Sequence, residues 1–116
     1  ERPYLDSISY HFGNFYIFAM RIIAKRTLRE FWEKHADARL PLSLWYTEAH
    51  AAEWKSFQDL RNWYPSASWV GNNRVVFNIK GNKYRLVARI NFDYQICWIR
   101  FIGTHAAYDT ISAKNV

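Results

Sequence analysis

Residues 81–109, GNKYRLVARINFDYQICWIRFIGTHAAYD, decide the fold because they contain two long strand patterns in succession. In the first pattern, apolar side chains fall at every second position from Tyr84 to Phe92. Lys83, Arg85 and Arg89 occupy the alternate positions. Successive residues of a strand point to opposite faces of its sheet. We therefore expect the apolar set to face a core and the three cations to point to the opposite face.

The neighbouring residues extend this pattern into an antiparallel meander. In residues 74–80, the apolar side chains of Val75, Phe77 and Ile79 alternate with a second set that is polar except for Val76. Gly81-Asn82 then supplies residues that tolerate positive φ in a tight hairpin turn. Asp93-Tyr94 marks the next turn, after which residues 95–102 predict a returning strand. The period of two begins at about Trp69, so the sheet is expected to hold three or four antiparallel strands from this half of the chain.

A short strand and a first helix are predicted near the start of the domain. Residues 20–24, MRIIA, form a short apolar run typical of a buried strand. Thr27 stands three residues before Glu30, which is the spacing of a capping box at a helix start. The helix is expected to run to about His35 and to bury an inner face that contains Leu28, Phe31 and Trp32.

Two further helices are predicted from apolar stripes rich in aromatic residues. Pro41 suits the first turn of a helix that continues to about Ala52, and residues 56–63 form a third helix that ends before Pro65. Their aromatic side chains could form a platform for stacked nucleotides. Helical spacing on amphipathic helices favours the alternative, in which these side chains belong to the core.

The predicted fold class is α+β, with two to three N-terminal helices packed on one face of a mostly antiparallel four- to five-stranded sheet. Residues 20–116 are expected to form this single domain, because 116 residues leave no room for a second one. Residues 1–19 precede the only methionine, Met20, and are interpreted as an N-terminal extension outside the core. Their segment FYIF could add an edge strand to the sheet.

The net charge of +6 predicts an acidic partner. Nucleic acid is the first candidate, since Lys and Arg neutralise phosphates and aromatic rings stack on bases. A basic protein without a polyanionic partner is the alternative. Four cations are expected to bind RNA without a direct part in catalysis: Arg74, Lys80, Arg89 and Arg100.

Other classes of site are disfavoured by the sequence. The single cysteine, Cys97, lies inside a strand pattern and is interpreted as a buried structural thiol. The four histidines make no paired metal-ligand spacing with it, so we expect neither a metal site nor a cofactor. No apolar run is long enough for a membrane span and no signal-peptide pattern is present, so the cytoplasm is the expected location and no membrane partner is predicted.

The histidine and tyrosine after the last strand point to RNA cleavage. Cleavage through the ribose 2′-hydroxyl needs a base, a cation that stabilises charge on the phosphorus centre, and an acid for the leaving 5′-oxygen. Lys83, Arg85, His105 and Tyr108 supply these chemical types without a metal. A turn or helical start at residues 104–109 would present His105 and Tyr108 on one side. The alternative is that the histidine is a surface residue and the tyrosine a packing residue.

The chain resembles the HigB family of bacterial toxins, within the wider RelE-like fold, over residues 20–109. The motifs that carry the resemblance are Val76-Phe77-Asn78, Gly81-Asn82-x-x-Arg85, Ile99-Arg100, and Thr104-His105 followed by Tyr108-Asp109. Upstream, Ile22 to Lys25, the helix after Thr27 and the Trp63-Tyr64-Pro65-Ser66 bend also fit. The first 19 residues have no counterpart in the family pattern.

The resemblance implies a ribosome-dependent mRNA endonuclease that works without a metal and inhibits translation. It also implies a HigA-like antitoxin with a helix-turn-helix domain as partner, with operator DNA bound only through that antitoxin. Carried over to this sequence, Arg85 would stabilise phosphate charge, and His105 and Tyr108 would act as acid or base. Lys83 is not fixed by the motif. The rival interpretation is a non-catalytic RNA-binding or antitoxin-binding protein, such as a decayed toxin.

Overall fold

The computed structural model describes residues 10–12, 15–17 and 20–116. The strands are β1 (Tyr10–Phe12), β2 (Phe15–Ile17), β3 (Arg21–Ile23), β4 (Ser68–Gly71), β5 (Arg74–Ile79), β6 (Tyr84–Asn91) and β7 (Ile96–Thr104). The helices are α1 (Lys25–Lys34), α2 (Arg39–Ala51), α3 (Phe57–Trp63) and α4 (His105–Tyr108), with a 3-10 turn at Ala36–Ala38. The predicted α+β class is confirmed.

Five strands form the main sheet in the order β3-β7-β6-β5-β4. Strand β3 pairs parallel with β7, and every other pair in this sheet is antiparallel. Strands β1 and β2 pair with each other in a separate two-stranded sheet, so the described part of FYIF, residues 15–17, does not extend the edge of the main sheet. The remainder of residues 1–19 lies outside the described residues, and their status as an extension stays a prediction.

The predicted hairpin between β5 and β6 is confirmed, with its turn shifted by one residue. Lys80 and Gly81 have φ values of 53° and 63°, whereas Asn82 is not among the residues with positive φ. Glycine adopts this left-handed conformation at no steric cost, which explains Gly81, while Lys80 adopts it as a less favourable residue. The result is a regular ladder that places Arg85 opposite Asn78.

The helix starts follow the prediction at one helix and depart from it at another. Helix α1 begins at Lys25 with Ala24 at its N-cap and no side-chain cap, so the predicted capping box of Thr27 and Glu30 is wrong. Thr27 already lies inside the first turn. Helix α3 begins within one residue of the predicted start, and the Ser56 hydroxyl caps it by accepting a hydrogen bond from the amide of Asp59 at 3.2 Å.

Helices α1, α2 and α3 pack on one face of the sheet, and their aromatic residues mostly belong to the core. Trp45 of α2 is 2% exposed and meets the ring of Phe77 edge-on at 5.3 Å between centroids. Trp63 departs from this pattern, since it is 62% exposed. Cys97 is fully buried in the same core, and this burial raises the pKa of its thiol. The interpretation of Cys97 as a buried thiol is confirmed.

The opposite face of the sheet, here called the outer face, is partly covered. Val76 and Val87 pair across β5 and β6 on this face, yet they are only 5% and 0% exposed. Helix α4 packs on β6 and β7. The following C-terminal segment, defined as residues 109–116, accepts hydrogen bonds from the side chain of Asn72, in the turn between β4 and β5, and from Arg74 on the outer face. We infer that these elements cover the two valines.

Candidate active site

The start of β6 and the end of β7 meet at one edge of the sheet. Tyr84 pairs with Thr104 and Arg85 pairs with Gly103. Beyond the last pair, the amide of His105 donates a hydrogen bond to the carbonyl oxygen of Lys83 at 3.2 Å. The backbone therefore brings three of the four candidate catalytic residues to one place.

Helix α4 is a single capped turn that carries the other candidate. The Thr104 hydroxyl accepts a hydrogen bond from the amide of Ala107 at 3.1 Å, which satisfies a free donor of the helix start. The expected helical turn is present, with Thr104 at its N-cap. The His105 side chain is 56% exposed, and its Nε2 atom lies 3.6 Å from Asp109 Oδ1. The imidazole is thus accessible from solvent.

The Arg85 guanidinium lies beside the turn that precedes its strand. Its Nη1 atom donates to the carbonyl oxygens of Asn82 at 3.0 Å and Tyr84 at 3.3 Å. Within residues 20–116, Arg85 has only neutral hydrogen-bond partners and forms no ion pair with a carboxylate. The charge of Arg85 therefore remains available to an anionic ligand. This agrees with the prediction that Arg85 points to the face of the sheet opposite the core.

Tyr108 reaches the outer face through an aromatic contact that the sequence did not reveal. Its ring centroid lies 6.3 Å from that of Phe101. The Phe101 ring in turn lies over Gly103, where an added Cβ atom would come within 2.5 Å of Phe101 Cζ. The absence of a side chain at Gly103, next to Arg85, is therefore what leaves room for this ring.

Lys83 points elsewhere than expected. Its ammonium group forms an ion pair with Asp37 in the 3-10 turn of the helical layer, and the Tyr84 hydroxyl donates to Asp37 Oδ1 at 2.5 Å. These two hydrogen bonds, that of Lys83 first, lower the pKa of Asp37 to about 2. The expectation that Lys83 points to the outer face is wrong, because this carboxylate lies on the other side. Asp37 was missed, and nothing in its local sequence marks it.

The four predicted RNA-binding cations fall into two groups. Lys80 lies at the β5–β6 turn with its Nζ atom 3.7 Å from Asp37 Oδ2. Arg74 and Arg89 pair across β5 and β6, four ladder positions from Arg85. The register of β6 and β7 shifts between Val87 and Ala88, which leaves Arg100 as an extra, unpaired residue of β7. The Arg100 side chain donates a hydrogen bond to Val116 O, as does that of Arg74.

The edge of the sheet therefore combines a cation, an imidazole and a phenol. Such a set can stabilise a phosphate charge and transfer protons. In the part of the chain that the structure describes, no group of three His, Cys, Asp or Glu side chains is arranged to hold a metal ion. None of the helices described there has the length and apolar character to span a membrane.

Comparison with known proteins places these residues in a toxin family. The family model HigB_toxin, RelE-like toxic component of a toxin-antitoxin system, matches residues 38–111, which include all four candidate catalytic residues. The mRNA interferase toxin HigB of Escherichia coli (strain K12) is 29% identical over 98 residues, covering 83% of this chain and 94% of that protein. The mRNA interferase HigB of Shigella flexneri matches with the same identity and coverage. The mRNA interferase HigB of Escherichia coli O6:H1 is 26% identical over 95 residues, covering 80% and 92%.

Proposed function

Because this chain belongs to the HigB family of RelE-like toxins, we propose that it is a metal-independent endoribonuclease that cleaves mRNA on the ribosome and so inhibits translation. The observation that carries the site assignment is the junction of β6 and β7, where Arg85 lies opposite Gly103 and His105 is bonded to Lys83. That junction gathers the chemical types that cleavage through the 2′-hydroxyl requires.

The proposed reaction is an in-line displacement at phosphorus. A base removes the 2′-hydroxyl proton, the 2′-oxygen bonds to phosphorus, and the bond from phosphorus to the 5′-oxygen breaks while an acid protonates that oxygen. The products are a 2′,3′-cyclic phosphate and a free 5′-hydroxyl. Arg85 stabilises the charge that develops on the phosphate oxygens, and His105 and Tyr108 take the acid and base roles.

Lys83 is proposed to stabilise phosphate charge less than Arg85 does. Its ammonium group already pairs with Asp37, so any contribution to phosphate charge is shared with that carboxylate. Arg85 has no such competitor among residues 20–116. We therefore place Arg85 first among the residues that stabilise charge, and Lys83 after it.

The binding partners of the chain are proposed from its membership of this toxin family. A toxin of a toxin-antitoxin system is neutralised by its antitoxin. We propose a HigA-like antitoxin with a helix-turn-helix domain, through which alone the complex contacts operator DNA. The basic residues of the outer face contribute RNA affinity, and translating ribosomes place the activity in the cytoplasm.

Induced expression with and without the antitoxin, followed by mapping of mRNA 5′ ends, tests the function. New 5′ ends within translated frames, carrying 5′-hydroxyl groups and absent when the antitoxin is co-expressed, are expected. Growth arrest without any new 5′ ends would contradict cleavage. Cuts that appear equally in untranslated RNA would contradict dependence on the ribosome.

A further inference from the structure

One carboxylate of the helical layer binds the turn between β5 and β6, residues 80–83. Asp37 Oδ2 accepts a hydrogen bond from the Lys83 ammonium group and lies 3.7 Å from Lys80 Nζ. Asp37 Oδ1 accepts a hydrogen bond at 2.5 Å from the hydroxyl of Tyr84, the first residue of β6. Both carboxylate oxygens are therefore bonded to residues in this turn or next to it.

The position of Asp37 is fixed by the packing around it. Asp37 lies in the 3-10 turn between α1 and α2, where the amide of the fully buried Ala38 donates to the carbonyl oxygen of His35 at 2.9 Å. The His35 ring stacks on that of Phe31 at 4.3 Å between centroids. Both rings meet the Tyr84 ring edge-on, at 5.7 Å and 5.2 Å. The carboxylate therefore comes from well-packed main chain and can hold the more exposed turn in one place.

The main chain at the end of this turn holds two of the candidate catalytic residues. Arg85 Nη1 donates hydrogen bonds to the carbonyl oxygens of Asn82 and Tyr84. The carbonyl oxygen between these two, that of Lys83, accepts a hydrogen bond from the amide of His105. A displacement of these three consecutive residues would therefore move the Arg85 guanidinium and the start of α4 together.

We propose that Asp37 is a positioning residue for the cleavage of RNA. Its bonds to the side chains of Lys83 and Tyr84 fix the main chain at the end of the turn. That main chain orients the Arg85 guanidinium and the start of the helix that carries His105. Catalytic groups act efficiently only in a narrow range of positions, and a displacement of about 1 Å can cost about 10²-fold in rate. The inference rests on the proposed function, because it adds Asp37 to that same site.

Two other roles for Asp37 predict different results when the carboxylate is removed. A carboxylate that only stabilises the fold would leave the cleavage rate of the folded protein unchanged. A carboxylate that only keeps Lys83 away from phosphate would lower the rate while present, so its removal would raise the rate. The positioning role alone predicts a lower rate in a protein that is still folded.

The rate of mRNA cleavage in a translating extract, with the protein in excess over ribosomes, separates these roles. Asp37→Ala is expected to lower the rate constant at saturation about fivefold to hundredfold, while the protein concentration that gives half of this rate changes less than about threefold. Asp59→Ala is the matched control, since it removes a carboxylate of α3 that accepts a hydrogen bond from the Lys55 amide at 3.0 Å. A saturating rate for Asp37→Ala that equals or exceeds that of Asp59→Ala would overturn the positioning role.

Two milder variants keep the test decisive if Asp37→Ala does not fold. Asp37→Asn keeps an oxygen for the Tyr84 hydroxyl but loses the charge that faces the lysines, so it should lose less rate in the same direction. Tyr84→Phe removes only the hydroxyl and keeps the ring against Phe31 and His35. The double variant Asp37→Asn with Tyr84→Phe should lose less than the product of the two single losses, because both changes weaken one shared bond. Losses that multiply in full would overturn the action of Tyr84 through Asp37.

Hydrogen exchange of the His105 amide reports on the position of the turn without any cleavage. In the same Asp37 variant, this amide should exchange about tenfold faster than in wild type, because its acceptor, Lys83 O, is held less firmly. The Ile90 amide, which donates to Asn73 O at 2.9 Å near the other end of β6, is the internal reference and should change little. Equal acceleration at both amides would indicate general destabilisation and overturn the inference. If only His105 responds but the wild type yields no cleaved mRNA, the anchoring by Asp37 stands and the proposed nuclease function fails.

Discussion

The amide of His105 donates a hydrogen bond to the carbonyl oxygen of Lys83 at 3.2 Å, one step beyond the last pair of the β6–β7 ladder. The start of α4 is thereby fixed to the strand that carries Arg85. The Thr104 hydroxyl adds a second constraint by capping the same turn. Because main-chain bonds and the Thr104 cap hold the turn, replacing the side chains of His105 or Arg85 should leave the fold in place.

Arg85→Ala is expected to abolish growth arrest and to lower the rate of mRNA cleavage by about 10²–10³-fold, since a positioned cation that stabilises transition-state charge is lost. Arg85→Lys should recover only part of the rate, because lysine presents a point charge where arginine presents a planar fork. Rates are measured in a translating extract with purified protein. Arg61→Ala serves as the control for loss of a cation far from this edge.

An unchanged cleavage rate in Arg85→Ala, with a folded protein by circular dichroism, would remove Arg85 from the site. A variant that fails to bind the antitoxin would instead indicate a structural defect. Antitoxin binding is therefore measured on each variant before the rates are compared.

His105 and Tyr108 are separated by their pH–rate profiles. His105→Ala and Tyr108→Phe are each expected to lower the cleavage rate by about 10²–10⁴-fold, because each removes a group that transfers a proton. The limb of the profile lost in each variant identifies which residue is the acid and which is the base. If Tyr108→Phe cleaves as fast as the wild type while Tyr108→Ala does not, the ring contact with Phe101 matters and the hydroxyl does not.

The sequence correctly predicted those features of the site that depend on residues close together in the chain. Strand alternation placed Arg85 opposite the core, and the short spacing of residues 104–109 predicted the helical turn. The ion pair of Lys83 with Asp37 joins residues 46 apart, and the bonds of Arg74 to Val116 join residues 42 apart. Contacts over such separations leave no periodic trace, so the direction of Lys83 and the cover on the outer face emerged only from the structure.

Gly103→Ala tests the packing that supports Tyr108. The new methyl group would lie 2.5 Å from Phe101 Cζ, so the ring must move, at an expected cost of about 1–3 kcal/mol in the free energy of unfolding. Phe101→Leu in the same protein removes the far end of the ring and should recover part of that loss. Urea unfolding of both single variants and the double variant measures the coupling between them. Additive effects would contradict the proposed contact.

Asp37 predicts a specific dependence of stability on acid. Its pKa is about 2 in the folded chain against an ordinary value of 3.8, chiefly because Lys83 and then Tyr84 donate hydrogen bonds to the carboxylate. The unfolded chain binds more protons between these values, so the contribution of Asp37 is complete above about pH 4 and is lost as the pH falls towards 2. The stability difference between wild type and Asp37→Asn should shrink over that window, as measured by urea unfolding at a series of pH values.

Two further variants show whether this dependence arises from the ion pair. Lys83→Gln removes the first donor and should flatten the same acid limb. Asp93→Asn changes an exposed carboxylate that forms no ion pair within residues 20–116, so its difference from wild type should vary little over the window. A difference between wild type and Asp37→Asn that is equal at pH 2 and pH 6 would contradict the pairing. In that case the Lys83 ammonium group would be free to bind phosphate, and Lys83 would join Arg85 in stabilising the phosphate charge during catalysis.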